Sequence, residues 1–199
     1  MLWLAILVAV LGAGVTAASV EGARRAEIPA AERRVFRAVN GLPGWLYWPL
    51  WPPMQLGNLV VGTGVGLGVA LYYDSWTMAA AVVLAALLKL VVERVIRHWT
   101  RPLLAVRRRP GTSEPGAILR GRDVPEDGPS FPSGHVILAA AIACIVAVET
   151  PGSLDWIPFL LTFLVMFGRV YVGAHNPLDV TAGLGIGLLV GALVAYTLV

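Results

Sequence analysis

The sequence predicts an all-α, polytopic membrane protein with six transmembrane helices. Hydrophobic residues make up 57% of the chain and charged residues only 14%, and the mean hydropathy is +0.75. Soluble globular proteins carry about 25% charged residues, so this composition suits a chain surrounded by lipid. Apolar runs, several of them about 20 residues long as a bilayer core requires, alternate with short polar stretches. We therefore expect one membrane domain over residues 1–199.

The N-terminal quarter is predicted to contain one span and one interfacial segment. Residues 1–20 are almost wholly apolar and form the predicted first span. A retained helix is favoured over a secretory signal because no Lys or Arg stands at its start. Residues 21–53 are expected at the membrane interface. In 21–37 charged residues alternate with apolar ones, which is typical of an interfacial helix.

The segment 41–53 combines three Trp and one Tyr with several prolines. Trp and Tyr are enriched where a bilayer meets water, so the pattern predicts an interface anchor. An aromatic cage around a substrate is the alternative interpretation.

Residues 54–199 are predicted to form a core of five further spans. These spans cover residues 55–73, 78–94, 136–148, 156–169 and 178–199. Glycine is frequent in the first and the last of them, which permits close helix packing. The one long polar loop, residues 103–131, carries five Arg and four Asp or Glu. We expect most of these charges to be solvated, and a lid over a site is a further hypothesis for this loop.

One chemically distinctive stretch runs from Gly168 to Asp179, between the last two predicted spans. Charged groups at membrane depth are costly unless they have a partner or a function. His175 and Asp179 are four residues apart, so a carboxylate can approach the imidazole, fix its tautomer and make its other nitrogen a better nucleophile. Arg169 offers a planar cation suited to phosphate oxygens.

A second stretch, Pro132–His135, stands directly before an apolar run. A helix that begins there presents free backbone N–H groups and its positive dipole end to an anion. Ser133 is a plausible N-cap and hydroxyl donor, and Gly134 lets a ligand approach the backbone. His135 is the candidate proton donor to a leaving group.

A third stretch, residues 94–102, closes an apolar run with cations that include Arg94 and Arg101. Lys89 and Glu93 precede it at a spacing of four, which predicts an ion pair or a snorkelling side chain. The alternative is that Lys89 joins a phosphate site. Because predicted spans three and four, and five and six, are joined on the same side, all three stretches are expected on one membrane face.

Together these stretches resemble the type 2 phosphatidic acid phosphatase (PAP2) superfamily, over roughly residues 30–199. The family motifs read Lys-x6-Arg-Pro, Pro-Ser-Gly-His and Ser-Arg-x5-His-x3-Asp. The corresponding residues here are Arg94 with Arg101 and Pro102, then Pro132 to His135, then Gly168, Arg169, His175 and Asp179. Two positions depart from the pattern: Arg94 stands where the family has Lys, and Gly168 where it usually has Ser.

The resemblance implies a six-helix PAP2-like bundle and metal-independent hydrolysis of a lipid phosphate or diphosphate, without a cofactor. His175, oriented by Asp179, would attack phosphorus and form a phosphohistidine. His135 would protonate the leaving oxygen and then activate water. The residues that the resemblance implies for holding the phosphoryl oxygens are Arg94, Arg101, Ser133, Gly134 and Arg169.

Three other functions are compatible with the same residues. His135, His175 and Asp179 could ligate zinc, although the neighbouring arginines disfavour a cation. A lipid phosphotransferase would use the same site with a different acceptor. A non-catalytic transporter or scaffold is the third, and the intact histidines argue against it. His98 is expected to be an interfacial histidine, and the single Cys144 cannot form a disulfide within the chain.

The expected partners are a membrane lipid phosphate and the bilayer itself, with no nucleic acid. The location implied is multi-pass in a membrane, with a bacterial plasma membrane expected. Lys and Arg concentrate on the motif-bearing face, which favours a cytoplasmic orientation of that face. Many bacterial relatives of the family are thought to work on the outer side, so the orientation stays open. Phosphatidic acid, phosphatidylglycerol phosphate, polyprenyl diphosphate and polyprenyl-linked sugar phosphates share the same head chemistry.

Overall fold

A computed structural model describes residues 2–25, 27–99, 107–150 and 152–198. Every regular element of secondary structure in these ranges is a helix, which confirms the all-α prediction. Numbered along the chain, the helices are α1 (Leu2–Ala23), α2 (Ala30–Asn40), α3 (Tyr47–Gln55), α4 (Leu59–Tyr72), α5 (Trp76–Trp99), α6 (Pro110–Ser113), α7 (Gly134–Glu149), α8 (Ile157–Tyr171) and α9 (Pro177–Leu198). A short 3-10 turn, Gly44–Leu46, precedes α3.

Two helices of the described chain, α1 and α9, are long and apolar enough to cross a membrane. A third span results if the segment Gly44–Gln55 and α4, which are bent by 62° from one another, are taken as one. Asn58 stands at this bend and caps α4, since its Oδ1 accepts the N–H groups of Val60 and Val61. α7 and α8 are apolar but shorter, with 16 and 15 residues. The count of six spans therefore stays a prediction.

The interfacial segment folds as two helices with different surroundings. α2 begins only after Pro29, and its buried residues Glu32, Phe36 and Asn40 recur at a spacing of four on one face. That face packs against the other helices rather than lipid, because the Asn40 amide donates to the carbonyls of Ile118 and Tyr171. The predicted helix over 21–37 is thus shorter and later, and α1 continues to Ala23.

The aromatic segment exposes its three tryptophans. Trp45, Trp48 and Trp51 are 67%, 75% and 45% exposed, while Leu50 and Met54 of α3 are buried. An aromatic side chain that meets the bilayer surface needs this exposure, so the interface anchor stays our prediction for the segment.

Glycines on α9 bring it close to α7 and so position the site. A Cβ on Gly183 would lie 2.7 Å from the Ser133 carbonyl oxygen, and one on Gly191 would lie 2.7 Å from the Cys144 Cβ. Gly187, between them, faces Ala140 in the same way, with a Cβ at 2.6 Å. Only glycine allows such an approach of two helices. The contact holds the start of α7 beside the start of α9.

More charged side chains of the polar loop are buried in the protein than expected. The expectation of solvated charges is wrong for Arg107 and Glu114, which are 4% and 3% exposed. It is also wrong for Arg120, whose guanidinium donates to the carbonyls of Asn40, Leu42 and Tyr171. Buried charges require such partners. The described part of the loop, from residue 107, therefore forms one wall of the protein next to the predicted site.

Candidate active site

The predicted histidines open onto one cavity of about 410 Å³, here called the histidine cavity. It lies where α5, α7 and α8 meet the polar loop. The titratable and charged residues that line it are Lys89, Glu93, Arg109, Asp123, Asp127, His135, Arg169 and His175. The stretches Pro132–His135 and Gly168–Asp179 thus meet at a single site on one face of the bundle.

His175 lies in the turn between α8 and α9. Gly173 has φ +78°, a left-handed conformation that reverses the chain, and the N–H groups of Ala174 and His175 then bond the Arg169 carbonyl. The His175 side chain is buried, and its Nδ1 lies 2.9 Å from the Ser130 carbonyl oxygen. A carbonyl only accepts, so Nδ1 carries the proton and donates it. The Nε2 lone pair is then left for chemistry.

Asp179 does not orient the imidazole in the way its spacing predicts. Its Oδ2 is 3.9 Å from His175 Nδ1, beyond hydrogen-bond distance. That Oδ2 accepts the Asn176 N–H at 2.8 Å, and Oδ1 accepts Arg107 Nε at 3.1 Å. The reason is that α9 begins at Pro177. Asp179 therefore stands in the first turn of α9 and accepts the free N–H of Asn176, the residue before the helix. The Ser130 carbonyl takes over the orienting role.

The His175 imidazole is surrounded by conditions that favour its neutral form. Burial lowers its pKa well below the ordinary value, and the charges of Arg169 and Arg109 lower it further. The nearby His135 acts in the same direction, whereas the hydrogen bond to Ser130 opposes it. A neutral imidazole is the nucleophilic form.

The Ser-Gly-His stretch begins α7 as predicted. The Ser133 N–H donates to the Asp179 carbonyl at 2.9 Å, which ties the starts of α7 and α9 together. The Ser133 hydroxyl does not line the histidine cavity, and its buried Oγ has no hydrogen-bond partner among the described residues. Gly134 and His135 both line the cavity. The Glu93 carboxylate occupies the space where a Gly134 side chain would stand.

Arg169 is buried beside the cavity and keeps unused hydrogen-bonding capacity. Its Nη1 lies 3.4 Å from Asp123 Oδ2, a carboxylate that is itself largely exposed. Its Nε is buried and has no hydrogen-bond partner in the described part of the chain. Such a donor is well suited to an incoming phosphoryl oxygen.

The stretch at residues 94–102 does not supply the cation that was predicted for the cavity. Arg94 is exposed and does not line the histidine cavity, and Arg101 lies outside the described residues. Lys89 does line the cavity, where its Nζ is 3.1 Å from Glu93 Oε1, so the ion pair expected from their spacing is present. Residues five apart on a helix point about 140° away from each other, which explains why Lys89 and Arg94 do not share a face.

A sequence profile of the PAP2 superfamily matches residues 70–199. The chain belongs to the PAP2 superfamily. The matched region contains every residue named above as lining the histidine cavity, from Lys89 to His175.

Two relatives match shorter segments of this PAP2 chain. It is 37% identical over 68 residues to the bacitracin transport permease protein BcrC of Bacillus licheniformis, covering 34% of this chain and 33% of that protein. It is 39% identical over 54 residues to an undecaprenyl-diphosphatase of Sulfolobus acidocaldarius, covering 27% of this chain and 26% of the relative. The similarity thus spans about a third and a quarter of these relatives.

Two crystal structures share the fold over most of their length. LpxE of Aquifex aeolicus superposes with a TM-score of 0.72 at 24% identity, covering 84% of this chain and 96% of its own. The transmembrane PAP2-type phosphatidylglycerolphosphate phosphatase of Bacillus subtilis gives 0.67 at 22% identity, covering 96% and 93%. With the apolar helices described above, these neighbours identify a membrane protein of PAP2 fold.

Two residues of this PAP2 site were missed by the sequence analysis. Arg109 lines the cavity and donates from Nη1 to the Ala174 carbonyl at 2.9 Å, directly before His175. Ser130 supplies the carbonyl that orients His175. Both belong to the polar loop, whose irregular backbone has no period from which their direction could be inferred. The run of three arginines at 107–109 was the one available signal.

Among the described residues, no group of three or more His, Cys, Asp or Glu side chains is arranged to hold a metal ion. Asp179, the carboxylate of the zinc alternative, has its two oxygens occupied by Arg107 and the Asn176 N–H.

Proposed function

We propose that this PAP2 protein is a phosphatase that removes a phosphomonoester or diphosphate headgroup from a membrane lipid. The observation that carries the proposal is that His135 and His175 line one cavity together with three cations, Lys89, Arg109 and Arg169. Phosphoryl transfer requires positioned nucleophiles and fixed positive charge around the transferring group, and little other chemistry from the protein.

The phosphoryl oxygens would be held by groups from four elements. Arg169 Nε is a buried donor with no hydrogen-bond partner in the described chain, and Arg109 faces the same cavity. The backbone at Gly134 begins α7 and offers N–H groups with the positive end of the helix dipole. Ser133 and Arg101 remain proposed contributors on the strength of the motifs. For the first-motif cation we propose Lys89 in place of the exposed Arg94.

The reaction we propose has two steps with a phosphohistidine between them. His175 Nε2 attacks phosphorus, the bond from phosphorus to the leaving oxygen breaks, and the leaving oxygen takes a proton from His135. His135 then takes a proton from water, the water oxygen bonds to phosphorus, and the bond from His175 to phosphorus breaks. No residue changes oxidation state, and the fixed cations offset the charge that a metal ion would otherwise offset. Undiminished phosphate release in a chelator is the expected result.

The identity of the lipid is proposed from the names of the relatives. One is an undecaprenyl-diphosphatase and one structural neighbour is a phosphatidylglycerolphosphate phosphatase. We infer that polyprenyl diphosphate and phosphatidylglycerol phosphate are the first substrates to assay, with phosphatidic acid and polyprenyl-linked sugar phosphates beside them. Measured phosphate release from this panel identifies the substrate. Loss of substrate without free phosphate, and with a newly phosphorylated lipid, would identify the alternative, a phosphotransferase.

We further propose one membrane domain in a bacterial plasma membrane, with the histidine cavity at the cytoplasmic side. The support is the concentration of Lys and Arg on the motif-bearing face. Single cysteines introduced at positions 110–118, in a background with Cys144 replaced, test this in intact cells. Protection from an impermeant thiol reagent is expected, and labelling would put the cavity outside.

A further inference from the structure

A buried charge network lies directly behind the His175 turn, and two of its three members, Arg107 and Glu32, stand outside the PAP2 motifs. Its centre is Arg107, whose Nε donates to Asp179 Oδ1 at 3.1 Å and whose Nη2 pairs with Glu32 Oε1 of α2. Glu32 Oε1 also accepts the Leu178 N–H at 2.9 Å. Arg107, Glu32 and Asp179 are 4%, 7% and 0% exposed, so water compensates none of these charges.

The network reaches the imidazole through one carboxylate. Asp179 Oδ2 is 3.9 Å from His175 Nδ1, close enough for its charge to act on the ring although no hydrogen bond joins them. An unbalanced carboxylate at that distance favours the imidazolium form, which has no lone pair for attack. Arg107 contacts the other oxygen of this carboxylate and balances its charge.

The cavity that His175 lines carries the carboxylates Glu93, Asp123 and Asp127 as well as cations. Arg109 of the loop and Arg169 of α8 line the same cavity, as does His135 of α7, and the Ser130 carbonyl accepts from Nδ1. Asp179 is the carboxylate that pairs with the ring, with its Oδ2 3.9 Å from Nδ1. Its electrostatic balance therefore acts on the charge state of the ring beside burial, which is the largest cause of the lowered His175 pKa.

We propose that Arg107 is a positioning residue of the reaction, which neutralises Asp179 and so keeps the His175 imidazole uncharged with Nε2 available. This rests on the proposed function in so far as His175 is the nucleophile. Arg107 acts through Asp179 and touches neither substrate nor the reacting atoms. Its position in the polar loop also explains why that loop packs into the protein instead of standing free above the site.

The test is a histidine titration by NMR in detergent, which is independent of activity. The chain has three histidines, so selective ¹⁵N labelling of the imidazoles gives signals from three rings, which single substitutions assign. Arg107→Gln removes the charge and Arg107→Lys keeps it. Arg108→Gln is the matched control, because the Arg108 side chain is exposed and has no part in the network. The pH dependence of phosphate release is measured on the same variants.

The proposal expects the His175 pKa to rise by about one unit or more in Arg107→Gln and to stay at the wild-type value in the Lys and Arg108 variants. The acid limb of kcat moves with it, and adding Asp179→Asn to Arg107→Gln reverses the shift. Equal titration of the Gln and Lys variants would overturn the proposal. If Arg107→Gln does not fold, Arg107→Met, which keeps the apolar stem of the side chain, takes its place: a raised His175 pKa supports the proposal, and a His175 pKa equal to that of Arg107→Lys contradicts it. Phosphate release by His175→Ala would instead contradict the proposed function. The NMR result on Arg107 would still hold in that case, so the two failures can be told apart.

Discussion

Replacing Lys89 tests most sharply which cation of α5 serves the phosphate. Lys89 lines the histidine cavity, whereas Arg94, the residue in the motif register, is exposed on another face of the same helix. We predict that Lys89→Met lowers kcat/KM strongly and that Arg94→Met, the matched control, changes it little. Both substitutions remove one positive charge from α5, but only Lys89 lines the cavity.

The expected magnitude follows from the contact that is lost. A hydrogen bond to a charged group contributes about 1.5–3 kcal/mol, and about 1.4 kcal/mol corresponds to a tenfold change, so kcat/KM should fall about 10- to 100-fold. Lys89→Met also takes away the Nζ that lies 3.1 Å from Glu93 Oε1. The remaining carboxylate then repels the substrate phosphate, and Lys89→Met/Glu93→Gln should recover part of the loss.

The assay is phosphate release from a short-chain lipid phosphate in detergent, with thermal unfolding of each variant as the folding control. An Arg94→Met variant that loses as much activity as Lys89→Met would refute the assignment and return the role to the motif register. So would a Lys89→Met variant with wild-type kcat/KM.

Three further predictions concern the titration of His175, the charge of Arg109 and the packing at Gly187. Because the pKa of His175 is lowered, the neutral nucleophile persists on acidification, and the ring should not titrate at the ordinary imidazole value of about 6.5. An NMR titration of His175 with a pKa near that value would contradict the buried environment. Arg109→Met should reduce kcat/KM about 10- to 100-fold and lower the unfolding temperature only modestly, through loss of the bond to the Ala174 carbonyl. An unchanged kcat/KM would show that this arginine only supports that carbonyl. Gly187→Ala should lower stability by about 1–3 kcal/mol, because its Cβ would stand 2.6 Å from both the Ala140 Cβ and the Ile137 carbonyl oxygen. Gly64→Ala on α4, with open space around the new Cβ, should leave the unfolding temperature unchanged or raise it, and equal unfolding of the two variants would count against close α7–α9 packing.

The helical parts of the site were predictable because helix ends can be read in the sequence. His135 follows Ser133 and Gly134 at the start of an apolar run, and His175 follows the end of another. Both lie on the cavity expected from those positions. Composition and apolar runs likewise gave the helical class, though not a confirmed number of spans.

The helical periodicity of the sequence indicates which side chains of α5 face inward, but the motif spacing was used instead to choose Arg94. Met78, Val82 and Ala85 are fully buried, and this inward stripe continues to Lys89 and Glu93 with helical spacing. Arg94 falls off the stripe. The helical period therefore predicts the cavity side of α5 better than the spacing to Arg101 does.

The contacts of the polar loop could not be predicted, because they depend on tertiary structure. Arg107 finds its two carboxylates on α2 and α9, which are 75 and 72 residues away. Ser130 contributes a backbone carbonyl, and backbone groups leave no mark in the sequence. Asp179 lies 3.9 Å from His175 Nδ1 and accepts the Asn176 N–H instead, an arrangement that depends on α9 beginning at Pro177.

The most direct test of the phosphatase proposal is to trap the covalent intermediate. Wild-type protein and His175→Ala are mixed with a lipid phosphate carrying ³²P, quenched in alkali within milliseconds to seconds, and separated from free label. The account predicts protein-bound label that is stable to alkali, lost in acid and absent from His175→Ala. Label of the same stability on His175→Ala, or phosphate release by that variant at the wild-type rate, would contradict it.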